Sequence, residues 1–500
     1  MQTVANTFSK NKREVNLLQQ VFDKYYYELV FQSKPINQML KSTLRRYWHY
    51  AAVALLVACA EPEIVPEDQS VQVTPDRELE KSNANGRNAG PGGGVMMQAF
   101  YWNVPAGGTW YNTVKNKIAS WDAAGFSAIW LPPVNKTLNG PFSMGYDPFD
   151  YWDFGNYNQQ GSTETRFGSK SELQSLITRA HQYNIDVYAD IVINHNSGGD
   201  SEWNPYAGKN TYTDFNPASG KFYRSYSDFH PNNIRNSDEG VFAGFPDLSH
   251  SQNYVKDWLW RRSDSMAKYY KNTMKFDGWR FDYVKGFGGW VVRDWVNSVG
   301  GFAVGENWDG NANTLQNWVN STSRKASAFD FAAYYAMDQA FDGNDLRKLN
   351  NDMLLKRDPS KAVTFVANHD TDIIWDKMHA YAYIMTHEGY PTVFYRDYED
   401  WLDKNKLNNL IWIHRNLAVG STTVLYADQD EYVARRNGSP GIVVYLNDSG
   451  SWKERWIQTN WSNRRIKDFT GNSGWEPVTQ GNQWVKIQCP PNSYTIWSLK

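Results

Sequence analysis

Gly278-Trp279-Arg280-Phe281-Asp282-Tyr283-Val284-Lys285-Gly286 is the stretch on which the reading of this chain turns. It opens as a short apolar strand and closes with a carboxylate two residues from a guanidinium. An opposite charge nearby favours the ionised form of an Asp, and an ionised Asp can serve as a nucleophile. Asp282 is therefore the first candidate for chemistry. Taken alone, Arg-x-Asp more often marks a structural ion pair, so the surrounding chain has to decide.

Working outward, short apolar or aromatic runs alternate with amphipathic helical segments from Val95 onward, the pattern of a parallel sheet with crossover helices. Eight runs read as strands: 95–102, 128–131, 187–194, 278–282, 303–307, 328–331, 363–368 and 392–395. The clearest helix spans 169–183, where Ser169 and Glu172 form a capping box and Leu173, Leu176, Ile177 and Ala180 line one face. Another follows the eighth strand at 404–417. Eight β-then-α units imply an α/β fold, a (β/α)8 TIM barrel over 95–195 and 251–422, with chemistry at the C-terminal ends of its strands. The intervening 196–250, rich in Asn, Gly, Asp and aromatics, far exceeds an ordinary βα loop and reads as an inserted subdomain, B, covering the barrel mouth. Beyond 422 the pattern becomes short β runs separated by turns such as Asn437-Gly438-Ser439-Pro440. That predicts a C-terminal antiparallel β-sandwich domain over 423–500.

The whole chain is 500 residues, 41% hydrophobic and 16% aromatic, enough for a large domain with satellites. Its 51 basic and 53 acidic side chains are well mixed and give a formal charge of -2, which argues against nucleic acid as a partner. The two cysteines, Cys59 and Cys489, form no disulfide framework. Residues 39–59 read as an export signal: Lys41, Arg45 and Arg46 make a basic start, 51–58 an apolar run too short to span a bilayer, and Leu56-Val57-Ala58-Cys59 the close. That close resembles the bacterial lipoprotein box, which implies cleavage before Cys59 and lipidation of its sulfur. Met39 is then the natural start, and 1–38 a mis-called extension without assigned function. The Pro-, Gly- and acid-rich 60–94 has the composition of a flexible tether.

The polar residues at the predicted strand ends make a constellation. The third strand ends Asp190-Ile191-Val192-Ile193-Asn194-His195, the fourth with Arg280 and Asp282, the fifth Gly305-Glu306-Asn307-Trp308, and the seventh Asn368-His369-Asp370. Carboxylates thus converge on one face, as glycoside hydrolysis requires: one as nucleophile, one protonated as general acid. This set in this order resembles the α-amylase family of glycoside hydrolases from about Val95 to the end. Asp190 to His195, Gly278 to Gly286, Gly305 to Trp308 and Phe365 to Asp370 match its signature regions, and Phe245-Pro246-Asp247-Leu248 a fifth in the insert. Longer stretches, including Met97-Gln98-Ala99-Phe100-Tyr101-Trp102 and Ala367 to Trp375, look like the archaeal-type α-amylases.

The resemblance implies roles. Asp282 would be the nucleophile, Glu306 the acid/base, and Asp370 the residue that holds substrate hydroxyls. Arg280 would orient Asp282, His195 and His369 would donate hydrogen bonds to the central sugar, Tyr146 would stack on it, and Lys285 would contact the leaving side. It also implies Ca²⁺ on an oxygen-only shell of Asn194, Asp238, Asp247 and the carbonyls of Gly240 and Gly286, clamping the insert to the barrel. Some archaeal-type relatives hold zinc with two His and a Cys; here His230 is accompanied by Arg235 and Ser249, so no zinc is expected. Gly286 stands where many members carry His. The expectation is a monomeric, secreted enzyme, lipid-anchored to a bacterial cell envelope and touching the membrane only through that anchor. It would make internal cuts in the α-1,4-glucan chains of starch, glycogen and maltooligosaccharides, with retention. Two alternatives are an α-glucan transglycosylase or narrow maltooligosaccharide hydrolase on the same scaffold, and a non-catalytic starch-capturing lipoprotein.

Overall fold

The computed structural model describes residues 93–234 and 242–500. The expectations for 1–38, for 39–59 with Cys59, for all but the end of 60–94, and for Asp238 and Gly240 lie outside the described residues. Eight parallel strands close into a barrel: β1 (Met96–Gln98), β2 (Ala128–Trp130), β3 (Asp186–Ile191), β4 (Gly278–Phe281), β5 (Phe302–Gly305), β6 (Ser327–Phe329), β7 (Ala362–Phe365) and β8 (Tyr390–Phe394). β1 pairs with both β2 and β8, which completes the ring. Every strand expected from the sequence is there, with its ladder ending a little earlier. The chain leaves the sheet just before Asn194, Asp282, Glu306 and Asn368, and so presents those side chains over the mouth rather than within the ladder.

Alternation along β4 shows how the sequence divides between core and site. Trp279 and Phe281 point outward onto Trp295 of the helix Gly289–Val299, with ring centroids 5.6 and 5.7 Å away. Gly278 and Arg280, on the other face, point into the barrel. The lower interior is filled by Tyr188, Phe302 and Tyr390, whose rings lie 5.1 and 5.3 Å apart in sequence around the barrel. A Cβ at position 278 would fall 2.6 Å from the Tyr188 ring, so glycine there is what lets that ring cross the barrel. The helix Lys170–Gln182 opens with the expected Ser169–Glu172 capping box and buries Leu173, Leu176, Ile177 and Ala180.

The insert carries a hairpin, Asp200–Asn204 with Lys209–Asp214. Buried Arg224 fastens it to the barrel side: its Nη2 donates to the Phe149 carbonyl at 2.6 Å, and its guanidinium lies 4.5 and 4.7 Å from the Phe215 and Phe222 ring centres. At the C-terminus a five-stranded antiparallel sheet runs Thr422–Ala427, Glu431–Arg436, Val443–Asn447, Ser493–Leu499, Ile466–Asp468. A two-stranded ribbon, Lys453–Gln458 with Trp484–Cys489, stands against it. Val433, Val443, Tyr445, Ile457, Val485, Ile487 and Trp497 pack between the two layers, the sandwich that the alternating runs predicted. Cys489 is a buried free thiol in that core. No helix among the described residues is long and apolar enough to cross a membrane.

Candidate active site

Arg280 is the centre of the site. It is buried at the C-terminal end of β4, and its register partners are Asp190 on β3 and Val304 on β5. Nη1 contacts Asp190 Oδ1 at 2.9 Å and Asp282 Oδ1 at 2.7 Å, while Nη2 contacts Glu306 Oε1 at 2.8 Å. Backbone bonds carry the sheet just past the strands and set the height of both acids: the Asp282 amide donates to the Ile191 carbonyl, and the Glu306 amide to the Phe281 carbonyl. The second oxygen of Glu306 accepts from the Tyr283 amide at 3.0 Å. Tyr283 takes left-handed backbone, φ 43°, immediately after Asp282, and this aims its amide at Glu306.

One guanidinium cannot compensate three buried carboxylates, so the cluster keeps a proton at neutral pH. Glu306 holds it. Burial, and then Asp282 and Asp370, push its pKa well above the ordinary glutamate value against the pull of Arg280. Asp190 is also raised by burial and by Asp282, but its 2.9 Å pair with Arg280 and two further donors favour its charge: Trp130 Nε1 at 3.0 Å and the Tyr146 hydroxyl at 2.8 Å. An acid poised to donate beside a paired carboxylate is the division of labour that acetal cleavage needs.

Asp370 reaches in from the β7 loop. Burial, and then Asp282 and Asp190, raise its pKa, although 35% of its side chain is exposed and water in the cleft offsets part of that effect. His369 stands between Gln98 Nε2, 2.9 Å from its Nδ1, and Asp370 Oδ2, 3.0 Å from its Nε2; a proton on Nε2 satisfies both contacts. Burial, and next Arg280, keep this imidazole neutral. Tyr146 stacks on His369 at 5.3 Å and 12°, and Trp102 lies over both rings with nearly half its surface exposed. The floor of the cleft is therefore aromatic.

The structure brings Tyr146, His369, Arg280, Asp282, Glu306 and Asp370 together. His195 is fully buried between Phe242 and Phe245, with Nε2 3.0 Å from the Tyr146 carbonyl, so in this conformation it supports Tyr146 from behind. Lys285 lies on the rim, 3.7 Å from Asp309. Sequence reasoning did not assign Asp190, Trp130, Gln98 or Trp102 a place here. Asp190 carries the clearest signal, since it opens the third strand-end motif, but its pairing with Arg280 needs the barrel register.

Asn194, Asp247 and Gly286 also meet. The Leu248 amide donates to the Asn194 carbonyl at 2.9 Å, His195 bridges Asp247, and a Cβ at 286 would fall 1.8 Å from Asn194 Oδ1. Asn194 Oδ1 is buried without a hydrogen-bond partner. Among the described residues no three His, Cys, Asp or Glu side chains form a metal nest, so a cation here would draw on amide and carbonyl oxygens beside the Asp247 carboxylate. Such oxygens suit a hard divalent ion, and the residues present fit Ca²⁺.

With this geometry in place, comparison with known proteins is specific. The α-amylase catalytic domain matches residues 79–294, and the α-amylase C-terminal domain matches 442–498. An α-amylase of Geobacillus stearothermophilus is 28% identical over 490 residues, covering 82% of this chain and 87% of that protein. An α-amylase of Bacillus licheniformis is 29% identical over 479 residues, covering 81% and 93%. A cyclomaltodextrin glucanotransferase, CldA, with a three-domain ABC distribution shares the fold with a TM-score of 0.65 at 23% identity, over 82% of this chain and all of that one. The chain carries a catalytic domain and a C-terminal domain of the α-amylase family of glycoside hydrolases.

Proposed function

We propose that this glycoside hydrolase is an α-amylase that cuts internal α-1,4 bonds of starch, glycogen and maltooligosaccharides with retention of configuration. The observation that carries the reading is the shared grip of Arg280 on Asp282 and Glu306, with burial and the neighbouring carboxylates pushing Glu306 toward its protonated form. Asp282 attacks the anomeric carbon as Glu306 passes its proton to the departing glycosidic oxygen. A glycosyl ester on Asp282 results. Glu306, now a carboxylate, takes a proton from water, whose oxygen attacks the same carbon from the opposite side to that of Asp282 and releases Asp282. Two inversions return the α configuration. Asp370 and His369 hold hydroxyls of the sugar whose ring rests on Tyr146.

Ca²⁺ bound by Asn194, Asp247 and the Gly286 carbonyl would hold the insert against β3 and β4. Within the family, the likeness of the stretches 97–102 and 367–375 to the archaeal-type α-amylases supports a proposed kinship with those members. Upstream, Cys59 is proposed to carry lipid that tethers a monomeric enzyme to a bacterial envelope; a Cys59→Ala variant released from membranes, with the lipid mass lost from the parent's N-terminus, is the expected result.

Soluble starch tests the activity. The parent should lower viscosity rapidly and yield α-configured products by proton NMR, and Glu306→Gln should lose at least about 10²-fold in kcat, the lower range for removing a general acid. Starch binding without cleavage by the parent would instead favour the capturing lipoprotein. Products that lengthen with time would favour the transglycosylase.

A further inference from the structure

The ribbon Lys453–Gln458 with Trp484–Cys489 has two unlike faces. Inward, Ile457, Val485, Ile487 and Cys489 are buried in the sandwich. Outward, Glu454, Trp456 and Gln458 face solvent beside Trp484, Lys486 and Gln488, in the register Glu454 with Gln488, Trp456 with Lys486, and Gln458 with Trp484. Trp456 is 52% exposed and Trp484 40%, and they are diagonal neighbours on one face, within reach of each other. Trp452, directly before the ribbon, is 54% exposed. The buried core of the ribbon is its inner face, and these indoles lie outside it with much of their surface exposed.

The chemistry of the face selects its occupant. It carries indole rings and amides but no exposed aliphatic side chain of the kind that a greasy protein or acyl-chain contact would add. Its two opposite charges, Glu454 and Lys486, neutralise each other in an ion pair. Flat apolar rings bordered by neutral hydrogen-bonding groups complement an uncharged polyol with apolar C–H faces and a rim of hydroxyls. We propose that Trp456 and Trp484, with Gln458 at their edge, form a second, non-catalytic glucan site that holds a strand of the polymer outside the catalytic cleft. This rests on the reading of the enzyme as an α-glucan hydrolase.

The test uses the full chain. Trp456→Ala/Trp484→Ala is made in the parent and in the Glu306→Gln background, where adsorption to granular starch can be read without hydrolysis. The expected result is adsorption weakened about tenfold, the scale for removing exposed aromatic contacts, with kcat/KM on maltoheptaose unchanged in the active background. Undiminished adsorption overturns the proposal. So does a concentration-dependent dimer of the parent that the double variant dissolves while glucan adsorption stays intact, which would assign the face to a second copy. Failure of the parent itself to cleave maltoheptaose would refute the hydrolase reading instead. Because both side chains are exposed, an unchanged circular dichroism spectrum and melting temperature are expected to accompany the loss of adsorption.

Discussion

At the scale of single residues, the site depends on how one proton is shared. Glu306 is pushed toward keeping it because it is buried and because Asp282 and Asp370 repel a further negative charge. On the proposed reading Glu306 is the general acid and must be protonated, so activity is present below its folded pKa and is lost as pH rises through it. Asp370→Asn removes one of the repelling charges. Besides a fall in kcat, the alkaline limb of the kcat/KM profile should then move to lower pH, since Glu306 now releases its proton more easily. A lowered kcat with an unmoved limb would show that Asp370 does not act on Glu306. Much of this was legible beforehand, because Asp282, Glu306 and Asp370 each end a recognisable strand. Asp190 was not, since its partner lies 90 residues away and only barrel register sets the two side by side.

At the scale of elements, small residues and caps set the frame beneath the chemistry. Gly278→Ala would press a methyl group into the Tyr188 ring and the Phe302 carbonyl, 2.6 and 2.8 Å away. Overpacking of this kind costs about 1–3 kcal/mol, and denaturant unfolding should show it. Asp330 caps the helix Phe331–Phe341, accepting from the amides of Ala333, Leu354 and Leu355. Burial nevertheless raises its pKa to about 6. Between the ordinary aspartate value and about 6 the folded state holds the extra proton, so this group's contribution to stability is present at low pH and is lost as pH rises through that window. A shift of this size corresponds to about 3 kcal/mol at a fully buried site. Asp330→Asn should flatten the dependence of unfolding free energy on pH over that window, leaving the slope elsewhere unchanged. The capping box at Ser169 was readable because its two partners are local. The cap at Asp330 was not, because two of its three donors come from a later segment of chain.

For the molecule as a whole, the insert is held over the barrel by Arg224 among aromatic rings and, on the proposed reading, by a cation between Asn194, Asp247 and Gly286. A chelator should lower the melting temperature on the order of 5 °C, the scale for losing a ligand present well above its dissociation constant. Added Ca²⁺ should restore it. Asn194→Ala should melt low in either condition. A chelator-insensitive parent would rule out the clamp.

The sequence by itself determined the barrel, the insert, the sandwich and the acids proposed for the chemistry. Period-two and helical patterning is a local property, and each acid is written at the end of its own strand. The tertiary structure decided what those residues face. It turned His195 toward the Tyr146 carbonyl, paired Lys285 with Asp309, and made Asp190 a partner of Arg280. It also sorted the C-terminal tryptophans, leaving Trp461 and Trp497 in the core and Trp456 and Trp484 side by side on the surface. These outcomes depend on strand register and on which face of an element is covered, and both are fixed by packing between segments distant in the chain.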